Sequence, residues 1–306
     1  MPESQVQASS YPSRVIARSL ISDFKNLTWQ IALLFVALAG VFLVAAYIVA
    51  PVGVDWEQTF HPATRSLADP YTNSKFTNPP WALFFLPHAI FDLRFSNAVN
   101  LLLNATVLLL IIRRFGGSMV TILLVFTTPH FLDLMRTNNI DWIPALALLV
   151  PPAYGMALLA VKPQAIGAVV LIWWRDNNFR PYIFIPTAIL LGLSFLVYGF
   201  WFNQAAGVPE ISAVWNLAPF PFLIPVGAYL LYRAYRTENS DDAIALSVTA
   251  TIFLTPYVAF YSVNTVIALL ASRFKREAFI IWCMTWINTI YFSRIAIQVA
   301  SDLSPT

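Results

Sequence analysis

Long apolar runs separated by short polar stretches fill most of the chain. The long runs lie near residues 31–50, 97–112, 118–132, 142–161, 181–201, 216–232, 243–256, 257–272 and 278–297. Because a membrane-spanning helix needs about 20 mostly apolar residues, the pattern predicts nine spanning helices. Two shorter runs, residues 81–91 and 163–174, are predicted to be re-entrant or interfacial helices. The predicted fold class is an all-α polytopic membrane protein.

The polar segments between the runs predict one domain with short tails. Residues 29–298 are the predicted transmembrane domain, with an outer loop at 51–80, a cytoplasmic N-terminal segment at 1–28 and an outer tail at 299–306. The first run is too long for the core of a signal peptide, and Pro51 follows it instead of a small-residue cleavage site. We therefore expect an uncleaved first span.

The composition agrees with a chain that lies mostly in a bilayer. Of 306 residues, 58% are hydrophobic and 11% are charged, whereas soluble domains carry about 25% charged residues. The net charge of +3 is scattered along the chain without a basic tract, which excludes a nucleic-acid-binding protein. The one cysteine, Cys283, excludes an internal disulfide.

Basic residues predict the orientation of the chain. With the N-terminus in the cytoplasm, 13 of the 18 Lys and Arg residues fall inside, Lys162 and Arg175 among them. The other five are Arg65, Lys75, Arg94, Arg136 and Arg294. Cytoplasmic loops of membrane proteins carry an excess of Lys and Arg. We therefore expect an integral protein of the plasma (inner) membrane of a prokaryote, with its C-terminus outside.

Histidines and most acidic residues gather on the opposite side from the basic residues. His61, His88 and His130 all fall on the outer side of the predicted topology, as do eight of the fifteen acidic residues. Titratable side chains at the outer surface predict a functional site there, where cytosolic nucleotides are out of reach.

The outer loop contains a predicted surface helix. Its apolar residues recur at helical spacing, at Trp56, Phe60, Ala63 and Leu67. This spacing predicts an amphipathic helix over residues 55–68 that lies on the membrane surface. Asp55 stands in its first turn. Two roles fit this residue: a helix cap, with Gln58 completing a capping box, or a functional carboxylate.

A series of short motifs resembles a known family. In chain order they are Asp55, Asp69-Pro70-Tyr71, Phe76-Thr77-Asn78-Pro79-Pro80-Trp81, Asn138-Asn139-Ile140-Asp141, Pro151-Pro152, Lys162-Pro163-Gln164 and Leu254-Thr255-Pro256-Tyr257. Their order and spacing, over residues 30–270, resemble the polyprenyl-phosphate-sugar-dependent integral-membrane glycosyltransferases of the GT-C superfold, in the mannosyltransferase-like branch. The chain is shorter than most such enzymes, which commonly have more spans or a soluble C-terminal domain.

The resemblance implies an inverting, metal-independent glycosyltransferase that uses no cofactor. In that family an acidic residue of the first outer loop is the general base that deprotonates the acceptor hydroxyl, and Asp55 matches its position. The implied partners are a polyprenyl-phosphate sugar donor, a lipid or glycan acceptor and the lipid bilayer. A larger membrane complex is a partner in the alternative scaffold hypothesis given below.

A cation is needed to stabilise the leaving phosphate. The candidates are Arg65, Lys75, Arg94, Arg136 and Lys162. Arg136 either binds phosphate or pairs with Asp133 three residues earlier. Lys162 lies between two apolar runs, where an ionisable group is a functional candidate, or it ends a helix at the cytoplasmic surface.

The predicted substrate-binding set adds polar residues of the outer side to these cations. Around the catalytic Asp55 it comprises Glu57, His61, Arg65, His130, Arg136, Asp141, Lys162 and Tyr257. For the two histidines, orienting a sugar hydroxyl or a phosphate competes with a purely structural role. No metal site is predicted, because no histidine pair has the spacing of zinc ligands.

Two other classes of protein fit the sequence. A small-solute or lipid transporter also has broken helices and a buried lysine at membrane depth, although no internal repeat is visible. A catalytically silent GT-C-like subunit that scaffolds a membrane assembly fits the short length. A structure separates the three hypotheses. An enzyme needs Asp55 at a lipid-accessible cavity near a cation, a scaffold has that cavity filled, and a transporter has a polar path to the cytoplasmic side.

Overall fold

A computed structural model describes residues 29–73, 75–205 and 216–303. Within these ranges the chain is mostly helical and forms no strand, which confirms the all-α prediction. The predicted cytoplasmic segment, residues 1–28, lies outside the described residues, as do the last three residues of the predicted outer tail.

The α-helices differ widely in length. They are α1 (Trp29–Val49), α2 (His61–Arg65), α3 (Leu93–Arg114), α4 (Met119–Phe126), α5 (Pro129–Thr137), α6 (Trp142–Leu146), α7 (Pro152–Leu159), α8 (Pro163–Ile166), α9 (Val169–Asp176), α10 (Ile185–Tyr198), α11 (Phe202–Ala205), α12 (Ile224–Arg236), α13 (Ser240–Leu254), α14 (Asn264–Arg273) and α15 (Ala278–Leu303). A π-helical turn precedes α2, at Trp56–Phe60. Short 3-10 helices lie at Pro70–Thr72, Pro80–Phe85, Pro87–Ile90, Ala147–Leu149, Pro181–Phe184 and Phe260–Val263.

Fewer helices are long enough to cross a bilayer than the nine predicted. In the described part of the chain, α3 and the continuous stretch Pro181–Tyr198 are long and apolar enough, and the bent pair α4 and α5 makes a third if it is one span. Shorter apolar helices lie at Leu33–Val49 and Ala278–Tyr291. The prediction of nine spanning helices is therefore wrong, although the helices that do qualify agree with a membrane protein.

Prolines divide the predicted spans into shorter helices. Pro129 begins α5, whose axis turns by 59° from that of α4. The apolar run at residues 142–161 breaks into α6, a 3-10 turn and α7, with Pro151 and Pro152 at the last break. Because proline lacks an N–H and clashes with the preceding turn, a run that is apolar throughout still changes direction there.

The two shorter runs form short helices. Residues 81–91 form most of two successive 3-10 helices, Pro80–Phe85 and Pro87–Ile90, and residues 163–174 form α8 and most of α9. None of these pieces is a candidate span, which agrees with the prediction that they do not cross alone.

The predicted surface helix packs into the protein. The chain is helical only to Arg65, so the predicted end at residue 68 is three residues too far. Trp56, Phe60 and Ala63 are buried in the main hydrophobic core, whereas Leu67 lies beyond the helix and is exposed. The apolar face therefore contacts protein, and the prediction that it lies on the membrane surface is wrong.

One face of α3 positions the loop between α5 and α6. It carries Asn97, Asn100 and Asn104, all buried. Asn100 Nδ2 donates to the carbonyl and side-chain oxygens of Asn138, at 3.0 and 2.9 Å. Asn104 Nδ2 donates to the Asn139 carbonyl at 2.8 Å and its Oδ1 accepts from the Trp142 N–H at 3.1 Å. This asparagine ladder fixes residues 138–142, which enter the candidate site.

Candidate functional site

A polar cavity of about 430 Å³ lies where the π-helical turn, α5, the segment before α8 and the segment after α13 meet. Its polar lining includes Asp55, Gln58, Lys75, Asp133, Arg136, Asn139, Lys162 and Tyr257. Ligand sites commonly have volumes of about 300–1,000 Å³. Four of the sequence-predicted site residues therefore share one cavity of ligand size: Asp55, Arg136, Lys162 and Tyr257.

Asp55 reaches the cavity because the chain before it is fixed to α3. The Gly53 N–H donates to Asn97 Oδ1 at 2.9 Å. Asp55 begins the π-helical turn, but its side chain does not cap it. Asp55 Oδ2 instead accepts a hydrogen bond from Asn139 Nδ2 at 2.8 Å. The capping-box hypothesis is therefore wrong, and the half-buried carboxylate faces the cavity.

Asn139 connects the groups around Asp55. Its Nδ2 also donates to the Tyr261 hydroxyl, at 2.8 Å. Its Oδ1 accepts from the Ile140 N–H at 2.7 Å and from Lys162 Nζ at 3.2 Å. Both polar atoms of this buried side chain are thus engaged.

Lys162 and Asp141 form a buried ion pair beside Asn139. The Lys162 Nζ lies 2.8 Å from Asp141 Oδ2, and only 5% and 6% of the two residues is exposed. Ser262 Oγ donates to Asp141 Oδ1 at 2.8 Å. Burial of one charge alone is costly, and here each side chain has the other as its partner.

The position of Lys162 corrects its assignment to the cytoplasmic surface. The predicted topology put Lys162 inside and residues 138–141 outside, yet Lys162 Nζ is bonded to Asn139 and Asp141. The two assignments exclude each other. Lys162 therefore belongs with the cavity, where it is buried, and it lies on the same side of the molecule as residues 138–141.

Two tyrosines in the segment after α13 close one side of the cavity. Burial, followed by the nearby Asp55 and Asp141 carboxylates, raises the pKa of Tyr257 and raises the pKa of Tyr261 well above its usual value. Both hydroxyls therefore stay protonated. The Tyr261 hydroxyl accepts from the same Asn139 Nδ2 that donates to Asp55, so Tyr261 and Asp55 share one donor group.

Two further cations line the cavity. Arg136 Nε and Nη2 both donate to Asp133 Oδ1, at 2.9 and 2.8 Å, which confirms the predicted pairing at i, i+3. More than half of the Arg136 side chain is exposed. Lys75 donates to Gln58 Oε1 and is exposed at the cavity wall. Both side chains are exposed and line the cavity, Arg136 together with its partner Asp133.

The remaining predicted site residues lie outside the cavity lining. Glu57 is exposed. Arg65 Nη2 donates to the Phe91 carbonyl at 2.8 Å, and His61 contacts the same oxygen at 3.2 Å. His130 is buried and stacks on Phe260, with 4.0 Å between ring centroids. Arg65, His61 and His130 thus contact other parts of the protein, and none of the four side chains lines the cavity that contains Asp55.

Sequence reasoning missed three residues of the site: Asn139, Tyr261 and Ser262. Asn139 belongs to a motif on which the family resemblance rests, yet it was not predicted to bind or position anything. A signal was present in the sequence, because Asn97, Asn100 and Asn104 recur at helical spacing within an apolar run. Asparagines at such positions need polar partners, which Asn138 and Asn139 supply.

An apolar groove adjoins the polar cavity. It has a volume of about 690 Å³ and lies between α8, α9, α12 and α13. Its apolar lining includes Val170, Leu171, Trp174, Leu231 and Leu254, all of them half-exposed. Gln164 and Tyr257 line both the groove and the polar cavity. The two spaces are therefore adjacent across these two side chains.

The described residues contain no group of three or more His, Cys, Asp and Glu side chains that could hold a metal ion. The charges at the cavity come instead from Asp55, Asp133, Lys75, Arg136 and Lys162.

Comparison with known proteins gives no match. The chain matches no family model, no curated protein and no solved structure. Assignment of function therefore depends on the geometry of the cavity and on the motif resemblance.

Proposed function

We propose that this protein is a glycosyltransferase that moves a sugar from a polyprenyl-phosphate donor to an acceptor hydroxyl at the non-cytoplasmic face of a membrane. The observation that carries the proposal is the adjacency of a polar cavity containing Asp55 and an apolar groove, with Gln164 and Tyr257 lining both. A lipid-linked sugar likewise consists of a polar part, the sugar phosphate, and an apolar part, the isoprenoid chain.

The cavity supplies the groups that such a transfer needs. Asp55 takes the proton of the acceptor hydroxyl, whose oxygen attacks the anomeric carbon of the sugar. The bond between that carbon and the phosphate oxygen breaks, and polyprenyl phosphate leaves with the electron pair. Positive charge on Lys75 and Arg136 at the cavity wall stabilises the phosphate as its charge grows. Attack opposite to the leaving group inverts the anomeric carbon.

The groove gives the isoprenoid chain an apolar environment. Its half-exposed lining keeps it open to the surroundings, so a lipid tail enters from the side while the sugar reaches Asp55. A scaffold subunit has no need of an open cavity at this carboxylate, and the 430 Å³ of space there favours the enzyme over the scaffold.

The test is sugar transfer from a panel of radiolabelled polyprenyl-phosphate hexoses in membranes that contain the protein. Asp55→Asn keeps the size of the side chain and removes the base, so transfer is expected to fall by about 100-fold or more. Asp69→Asn is the matched control, because Asp69 is exposed in the same outer loop and does not line the cavity. Equal transfer by wild type and Asp55→Asn rejects this base, and no transfer by any form with varied acceptors rejects the enzyme.

A further inference from the structure

The ammonium group of Lys162 has no hydrogen left for a substrate. A lysine ammonium has three N–H donors. Lys162 Nζ directs them to Asp141 Oδ1 at 3.0 Å, Asp141 Oδ2 at 2.8 Å and Asn139 Oδ1 at 3.2 Å. The Tyr261 ring covers it, with 4.6 Å from Nζ to the ring centroid. The phosphate of a donor therefore finds no available N–H on this residue.

Lys162 does fix the orientation of Asn139. The amide oxygen of Asn139 receives two donors, Lys162 Nζ and the Ile140 N–H. A rotation of the amide by 180° places its NH₂ group against these donors, which is unfavourable. Only one orientation satisfies all partners, and in it both Nδ2 hydrogens point to Asp55 and Tyr261.

We infer that Lys162 is a positioning residue that acts on Asp55 through Asn139. The buried cation holds the amide so that Nδ2 donates to Asp55 Oδ2 at 2.8 Å. This hydrogen bond fixes the direction of the carboxylate at the wall of the cavity, and a general base has to be held within reach of the proton it accepts. The catalytic part of this inference rests on the proposed role of Asp55 as base, whereas the coupling between the three side chains does not.

Asp141 and Ser262 complete the arrangement. Asp141 balances the charge of Lys162, and Ser262 donates to Asp141 at 2.8 Å. The pair is neutral overall, so it adds no net charge beside Asp55.

The experiment measures the carboxyl of Asp55 itself. Dicyclohexylcarbodiimide reacts with protonated carboxyl groups, and the labelled peptide is quantified by mass spectrometry in the full-length protein at pH 7. Asn139→Leu removes the hydrogen bond and is expected to speed the labelling of Asp55 by about tenfold, because the free energy of one hydrogen bond to a charged group corresponds to about this factor. Lys162→Met is expected to act in the same direction.

Lys162→Met leaves Asp141 buried without its partner, which can prevent folding. The double variant Lys162→Met, Asp141→Leu removes both charges and avoids this problem. Lys162→Arg keeps the cation and is expected to restore a labelling rate close to that of wild type. Arg273→Met is the matched control, because it breaks an ion pair with Asp242 that does not contact the cavity.

Labelling that rises in Asn139→Leu and in the double variant, but not in the Arg273→Met control, supports the inference. In sugar transfer the same variants are expected to lower kcat about tenfold or more with donor KM within twofold. Unchanged labelling of Asp55, or an effect on KM alone, overturns it. If labelling is faster in the variants but the wild type transfers no sugar, the coupling is supported and the glycosyltransferase function is rejected. Failure of this inference and failure of the proposed function therefore give different results.

Discussion

The position of Asp55 depends on a glycine two residues before it. A Cβ atom at Gly53 lies 2.3 Å from Asn138 Cβ and 2.6 Å from the Thr137 carbonyl oxygen. Contacts this short do not occur in real structures, and the backbone carbonyl has little freedom to move. Only glycine therefore lets the segment before Asp55 lie against the end of α5.

Gly53→Ala is expected to destabilise the protein by about 1–3 kcal/mol, since an added methyl group in a packed site forces the backbone to shift. Sugar transfer falls as well, because Asp55 moves with the displaced segment. Equilibrium unfolding in detergent micelles and transfer in membranes measure the two effects. Gly40→Ala is the control, because its Cβ meets nothing within 4 Å. Equal stability of the two variants contradicts this role of Gly53.

Lys75 is the residue from which we expect a direct effect on the donor phosphate. It is exposed at the cavity wall, in the segment that follows Asp55. Lys75→Met is expected to raise donor KM about three- to tenfold, since one hydrogen bond to a charged group accounts for this order, and to weaken the dependence of KM on salt. Arg94→Met removes an equal charge from an exposed residue that does not line the cavity. An equal rise in KM for both variants indicates a general effect of charge and contradicts the assignment.

At the scale of single elements, the asparagine ladder of α3 shows what the sequence can predict. The apolar run at residues 97–112 predicts a spanning helix, and α3 is one of the candidate spans. Its three asparagines have a spacing that predicts a polar face. Their partners include backbone groups of residues 138–142. A periodic sequence pattern does not predict these partners, because this segment is an irregular loop with Asn138 in the left-handed conformation.

The ladder makes Asn100 a sensitive position. Its Nδ2 donates to Asn138 and its Oδ1 accepts from Trp142 Nε1 at 2.9 Å. Asn100→Leu leaves these buried groups without partners and is expected to destabilise the protein by about 2 kcal/mol or more. Leu110→Ala, on an exposed part of the same helix, is expected to cost less. Equilibrium unfolding in detergent compares them, and a smaller loss for Asn100→Leu contradicts the structural role of the ladder.

At the scale of the whole molecule, counting apolar residues overestimates the number of crossings. Such a count treats the run at residues 142–161 as one helix, although prolines at positions 144, 151 and 152 lie within it. Counting basic residues on each side of the membrane has a related weakness, because it assigns Lys162 to the cytoplasmic side only from its position between two apolar runs. Its ion pair with Asp141 joins residues that are 21 positions apart, and a one-dimensional pattern does not contain that contact.

α3 connects two polar ends of the molecule. Near its start, Asn97 bonds Gly53 and Asn138 beside the candidate site. At its end, Arg114 pairs with Asp241, in the same cluster as Arg273. The helix has 22 residues and is about 33 Å long at 1.5 Å per residue. This length matches the hydrocarbon core of a bilayer, about 30 Å, so the two polar ends are expected to lie on opposite faces of the membrane.

Labelling of single cysteines tests this arrangement in a Cys283→Ser background. Asp69→Cys places a thiol in the outer loop near the cavity, and Glu238→Cys places one between α12 and α13, near Arg114 and Asp241; both positions are exposed. In sealed right-side-out vesicles a membrane-impermeant maleimide is expected to label position 69 at once and position 238 only after permeabilisation. Labelling of both positions from the same side contradicts a membrane-spanning α3. Labelling of position 238 alone agrees with a membrane-spanning α3 in the reverse orientation. The cavity, with Asp55, then lies on the cytoplasmic face.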